Sequence, residues 1–322
     1  EDLDDVDRQS STQEINDFIW RGLNYFYLYK EEIPTLSDEA FENDITKRTY
    51  LNSFESPEEC FDILTSLDDE FSLLVDDYIT LENALAGISL SNGMIYGLVY
   101  YPNDINRVFG YVRYVLPGSD AESQNIERGM IFNRVNGIQL NDSNYNYLLR
   151  PETYTLGWAE FDGSQIIELT DTLTLTKTQL TENPIYKTAI FQKSGHTIGY
   201  LMYNGFTNEF DNELNVAFSQ FRAEGITDLV LDLRYNGGGS VRTATSLASM
   251  ITGQFQGEIF YKEQWNDDRQ AEYAEPGYYV NTLSNGSSLN SLGLTRVYVL
   301  TSRGTASASE LLINGLGPYI DV

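Results

Sequence analysis

From Thr12 onward apolar positions recur at helical spacing: Ile15, Phe18, Ile19, Leu23, Phe26 and Tyr27 fall on one face at a period of 3.6 and predict a helix. Further helices are expected over 37–45 and, with Ser56 as N-cap and Pro57 at the first helical position, over 57–66. From 93 to 177 the period shortens to that of strands. Residues 111–116 read as a strand closed by Pro117-Gly118-Ser119, and 120–125 as a helical turn. Residues 130–135 form the next strand, Asn136-Gly137 a tight turn, 142–149 a short helix capped by Asn141, and 166–175 a closing strand.

Beyond residue 185 strands and helices alternate. Strands are expected over 197–203, 229–233, 255–264 and 297–300, and helices over 212–224, 241–251 and 307–316. Leu214, Ala217, Phe218 and Phe221 mark the inward face of the first helix, and Val241, Ala244, Leu247, Ala248 and Ile251 that of the second. The polar stretch 266–290 reads as a long surface excursion. This alternation predicts an α/β fold with a mostly parallel sheet layered by helices. Four segments follow: a disordered acidic leader (1–11), a helical N-terminal domain (12–88), a β-rich domain (89–178) and an α/β domain (179–322).

Charge narrows the classes of function. The chain carries 48 acidic and 20 basic side chains, a formal net charge of −28. Residues 1–88 alone hold 23 of the acids against 5 bases. Such a chain is repelled by nucleic acid and by anionic lipid surfaces. The lone cysteine, Cys60, has no partner for a disulfide or a cysteine-based metal site. No apolar run approaches the roughly 18 residues of a membrane span.

Two strand-to-helix junctions hold small residues where a helix opens. The first is Asp232-Leu233-Arg234-Tyr235-Asn236-Gly237-Gly238-Gly239-Ser240. Its three glycines let the backbone turn sharply and aim N–H groups at a phosphate or an oxyanion. It lacks the Lys-Ser/Thr of a P-loop and any G-x-G-x-x-G spacing, so nucleotide binding is poorly supported. The second is Arg303-Gly304-Thr305-Ala306-Ser307-Ala308-Ser309-Glu310. A serine at a helix start is ordinarily an N-cap. It also sits among unpaired N–H donors that can stabilise an alkoxide or a tetrahedral oxyanion.

Together, in this order, the two runs resemble the C-terminal-processing (tail-specific) serine peptidases of family S41. The signatures of that family are D-L-R-x-N-x-G-G after a strand and G-[ST]-A-S-A-S-E at the nucleophile. The resemblance covers residues 90–322 and implies a ClpP/crotonase-like catalytic domain that works without metal or organic cofactor. It makes Ser307 the nucleophile, with the N–H groups of Ala308 and of Gly237 or Gly238 as the oxyanion hole. The general base of the family is a neutral lysine about 25 residues after the serine, near position 332 and past Val322, followed by a glutamine. The ending at Val322, directly after a helix, reads as an incomplete catalytic domain.

Nothing around Lys177, Lys187, Lys193, Lys262 or His196 marks a substitute base, and Arg234 reads as a structural ion-pair partner. Glu310 either pairs with Arg234 or favours the helix N-terminus. The strand and turn order of 89–178 resembles a PDZ domain, whose carboxylate-binding loop would lie at Gly93-Met94-Ile95-Tyr96-Gly97. The partner implied is a polypeptide, captured as an unstructured segment or a C-terminal tail, and oligomeric state is left open. Exported, periplasmic or cell-surface location is expected from the family, and the acidic leader resembles the tether behind a lipid anchor upstream of Glu1, although no lipobox is present. The competing readings are a peptide-binding pseudoprotease that has lost the lysine, and a binder of small apolar ligands on the same fold.

Overall fold

A computed structural model describes residues 11–102 and 104–322, so the acidic leader expected over 1–11 lies, apart from Ser11, outside the described residues. The chain divides into two compact units. One comprises the residues up to Tyr78, Thr188–Met202 and Asp211–Val322; the other comprises Ile79–Lys187 and Tyr203–Phe210.

Helix α1 (Thr12–Phe26) opens on a reciprocal cap in which the Ser11 hydroxyl accepts from the Glu14 N–H and the Glu14 carboxylate accepts from the Ser11 N–H. Its inward face differs from the expected one. Asn16, Ile19 and Trp20 are buried, while Phe18 and Phe26 are 68% and 63% exposed. Two hydrogen bonds turn the helix this way: Asn16 Nδ2 donates to the Leu51 carbonyl at 2.9 Å and Trp20 Nε1 to that of Thr35 at 2.8 Å. No helix forms over 37–45; α2 (Asp44–Leu51) starts later, capped by Asn43, whose Oδ1 accepts from the N–H groups of Ile45 and Thr46. Helix α3 (Pro57–Ile63) starts at the Ser56-Pro57 signal. Cys60 is fully buried with Leu36, Leu51 and Leu64, and burial pushes its thiol up to about 11, so it is a packing residue.

Helix α4 (Tyr78–Leu85) leads to β1 (Ile88–Ser91) and the second unit. There β2 (Met94–Tyr101), β3 (Asp104–Val115), α5 (Asp120–Ser123), β4 (Ile131–Val135), β5 (Ile138–Gln139), α6 (Tyr145–Leu149), β6 (Thr153–Phe161) and β7 (Ile166–Thr176) build one antiparallel sheet with two short helices. The strand order is β2-β3-β4-β6-β7, with β5 folded back on β4 through the Asn136-Gly137 turn. Phe132, Val112, Leu140, Leu156 and Leu175 form its core. Strands β2 and β6 were not anticipated, because glycine interrupts the alternation of each at Gly97 and Gly157. Strand β8 (Thr178–Thr181) pairs with β1.

The α/β sheet follows. Strand β9 (Ile185–Lys193) turns through Ser194-Gly195 into β10 (His196–Tyr203), helix α7 (Asp211–Ala223) leads to β11 (Asp228–Asp232), and α8 (Val241–Thr252) follows that strand. Strand β12 (Ile259–Lys262), helix α9 (Asp267–Tyr273) and strand β13 (Pro276–Tyr278) precede β14 (Tyr298–Leu300) and α10 (Ala308–Leu316). The sheet order is β14-β11-β10-β9, with β10, β11 and β14 mutually parallel. Leu229 and Leu231 of the central strand are fully buried, as a strand covered on both faces requires. Helix α7 buries the four positions read as inward, and α8 buries all of its own except Val241, which is 42% exposed at the first helical position.

The supposed excursion 266–290 is partly ordered. Asn266 Nδ2 donates to the carbonyls of Tyr25 and Tyr27, both at 3.1 Å, and Lys30 donates to Asp268 at 2.5 Å and Asp38 at 2.9 Å. The Arg269 guanidinium stacks 3.9 Å from the centre of the Tyr25 ring. Contacts from 240 residues upstream thus fix a helix that the local sequence does not announce. Among the described residues no helix is long and apolar enough to cross a membrane.

Candidate active site

Parallel strands carry their loops to one edge of the sheet, and both small-residue junctions open there, at the C-terminal ends of neighbouring β11 and β14. At the root of the first, Arg234 folds back on Asp232, with Nε at 2.9 Å from Oδ1 and Nη2 at 2.5 Å from Oδ2, and the Tyr200 hydroxyl donates to Oδ2 at 2.7 Å. Burial pushes the Asp232 carboxyl up, but these donors outweigh it and hold the group below its usual range. Tyr200, half-buried beside that carboxylate, is pushed up to about 12. Arg234 is therefore committed to a structural pair.

Asn236, fully buried, is the hub of the two loops. Its Oδ1 accepts from the Gly238 N–H at 2.9 Å, and its carbonyl accepts from Ser309 Oγ at 3.1 Å and Ala306 N at 3.4 Å. Thr305 Oγ1 donates to the Leu233 carbonyl at 2.8 Å and Ser302 Oγ to that of Arg234. Three hydroxyl side chains and the Asn236 carbonyl thereby clamp one loop to the other. Asn236, Ser302, Thr305 and Ser309 were given no role from sequence, and the only signal for three of them was their place inside the two runs.

Ser307 sits exposed at the head of α10 with φ 56° and ψ −119°, a left-handed conformation costly for a residue with a side chain. Its N–H donates to the Glu310 carboxylate at 2.9 Å, which settles the two readings of Glu310 in favour of the helix terminus. Gly238, at φ 110°, lies directly behind it: a Cβ there would come within 2.6 Å of Ser307 Cβ, 2.9 Å of the Ala306 carbonyl and 3.0 Å of the Ala308 nitrogen. The Ala308 N–H, at the first position of the helix, has no intrahelical acceptor. The Gly238 N–H is taken by Asn236, whereas Gly237 stands beside the Gly304 carbonyl, 4.0 Å from where its Cβ would be. The structure therefore brings Gly238 against Ser307 and Ala308, with Gly237, the preceding residue, facing the Gly304 carbonyl of the second loop.

Other groups stand elsewhere. His196 opens β10 and binds Asp228 at 2.7 Å, at the opposite end of the parallel strands, roughly 16 Å along a five-residue strand from the loops. Lys177 donates to the carbonyls of Leu149 and Arg150, closing the C-terminus of α6. Residues 93–97 form no loop: Gly93 (φ 84°) is the turn into β2, and Met94, Ile95, Tyr96 and Gly97 are its first residues, with Gly97 lying under the Tyr111 ring. Strand β2 is an edge of its sheet.

Residues 197–317 match the profile of Peptidase family S41, and residues 14–73 that of the Peptidase S41 N-terminal domain. A carboxyl-terminal-processing protease of Picosynechococcus sp. is 27% identical over 147 residues, 45% of this chain and 31% of its own length. A chloroplastic C-terminal processing peptidase of Tetradesmus obliquus is 28% identical over 156 residues, 46% of this chain and 31% of its own. The match thus spans about a third of the length of these curated relatives. A crystal structure of a protein assigned as an S41 protease, from Bacteroides fragilis, superposes with a TM-score of 0.71 at 25% identity, over 95% of this chain and 76% of that one.

Proposed function

The chain belongs to peptidase family S41, and from that premise we propose that it acts as a serine endopeptidase on unstructured or C-terminal peptide segments, with Ser307 as nucleophile. The observation that carries the reading is the contact of Gly238 with Ser307, where both family runs meet at one edge of the sheet. Ser307 Oγ attacks the scissile carbonyl, and the N–H groups of Ala308 and Gly237 receive the developing oxyanion. Gly238 contributes a missing side chain rather than a donor, since its N–H holds Asn236. The general base is the lysine that the family pattern places about 25 residues after the serine, kept neutral by desolvation so that it takes the hydroxyl proton and passes it to the leaving amine. Water then hydrolyses the acyl-enzyme.

In the same proposal the β-rich unit is a PDZ-like module that takes a peptide tail as an added strand along β2, near Gly93-Met94-Ile95-Tyr96-Gly97. Location in the periplasm or at the cell surface extends the proposal on the habit of the family, and a lipid anchor extends it on the likeness of the acidic leader to a lipoprotein tether. The test is hydrolysis of an unfolded protein by the full-length product and its Ser307→Ala variant: activity is expected to disappear with the fold intact. Undiminished hydrolysis in the variant overturns the assignment of the nucleophile. Tail binding without hydrolysis in the wild type makes the chain a peptide-binding pseudoprotease.

A further inference from the structure

Helix α8 leaves the Gly237–Gly239 loop with its first turn beside an open groove of about 570 Å³. Val241 and Arg242 of the helix form one wall, Tyr261 and Tyr278 of the β12–β13 pair the other, and Leu283 and Ser246 the floor. Gly277 shapes the aromatic wall: the Tyr261 ring lies flat across it, 2.0 Å from where a Cβ would be. Ser246 is 2% exposed and, among the described hydrogen bonds, its hydroxyl is engaged by none. In a chain of net charge −28, the residues lining this groove include one guanidinium and no carboxylate. Arg242 is exposed and makes no ion pair among the described residues.

We propose that this groove is a substrate subsite in which Arg242 selects an acidic side chain of the peptide, within about four residues of the scissile bond. The inference rests on the peptidase reading and names the peptide chemistry that site accepts. Distance sets the position. Arg242 follows Gly238 by four residues, at most about 14 Å of backbone, and Gly238 touches Ser307. An extended substrate advances about 3.4 Å per residue, so about four residues cover that span. The aromatic and aliphatic walls receive neighbouring apolar side chains, while a carboxylate placed between them and the guanidinium gains a pair partly shielded from water. A side chain, rather than a chain terminus, is the occupant because the tail is assigned to the edge strand β2.

The test compares full-length wild type with R242E on peptides that carry Glu, Gln or Lys at each position within four of the cleaved bond. A glutamate at the second position of α8 suits the helix dipole, so this variant retains its fold. The wild type is expected to favour Glu over Lys by about tenfold in kcat/KM at one position, and R242E to reverse that ratio there. An unchanged ratio in R242E overturns the proposal. A preference that vanishes when the peptide is C-terminally amidated, whatever the side chains, also overturns it, in favour of a terminal carboxylate. Anisotropy of the same peptides on Ser307→Ala separates the two readings: binding that depends on Arg242 without any hydrolysis in the wild type keeps the subsite and removes the peptidase.

Discussion

At the scale of single residues, the candidate site depends on an atom that is absent. Gly238 stands where a methyl group would displace Ser307, in a backbone conformation that side chains rarely adopt. Gly238→Ala is expected to cost about 1–3 kcal/mol in stability. If the proposed peptidase reading holds, it should also lower kcat/KM of the full-length product by about 100-fold through misplacement of the proposed nucleophile. Thermal melts beside peptide kinetics check this, and a variant with wild-type kinetics would remove the steric role. The strain at Ser307 could not have been foreseen, since nothing in Ala306-Ser307-Ala308 announces a positive φ. Within the two runs, Gly238 answers a close approach and Ala308 offers an N–H without an intrahelical acceptor, and the pairing of the runs themselves was legible in the sequence. The clamp made by Asn236, Ser302, Thr305 and Ser309 was not legible as a network, because its partners lie about 70 residues apart in sequence.

At the scale of elements, Asp228 ties the starts of three strands. Arg296 holds its carboxyl down to about 2, with Thr227 and His196 adding to the effect against a small cost of burial. Because the folded value lies below the ordinary 3.8, this stabilisation is complete above that range and is lost as pH falls from about 4 toward 2. The gap in melting temperature between wild type and Asp228→Asn should therefore be larger at pH 5 than at pH 3; a constant gap would refute the linkage. Asn266 plays a comparable part for α9. Asn266→Ala strips the donors from one buried and one partly buried carbonyl and should cost about 1–3 kcal/mol by chemical denaturation, without altering the Glu-to-Lys preference of the site. Elements with strong local signals, such as α3 at Ser56-Pro57 and the buried strand β11, were readable from sequence. Helix α9 and the rotated face of α1 were not, because hydrogen bonds between distant segments decide them.

At the scale of the whole molecule, self-repulsion of 48 acids against 20 bases is the dominant long-range field. Raising ionic strength from about 0.01 to about 0.15 M shortens the screening length from about 30 to about 8 Å. The melting temperature should rise by a few degrees over that range, and a fall would mean that specific ion pairs outweigh the net charge. The buried hub between the two loops also governs how the molecule ages. Asparagine followed by glycine is the pair most prone to lose ammonia, through attack of the glycine nitrogen on the side-chain amide. Asn136 and Asn285 carry that chemistry in the open, whereas Asn236 is sealed, its amide oxygen engaged by Gly238. Deamidation there must wait for the two loops to part, so the chemical clock beside Ser307 runs only in molecules that have already opened.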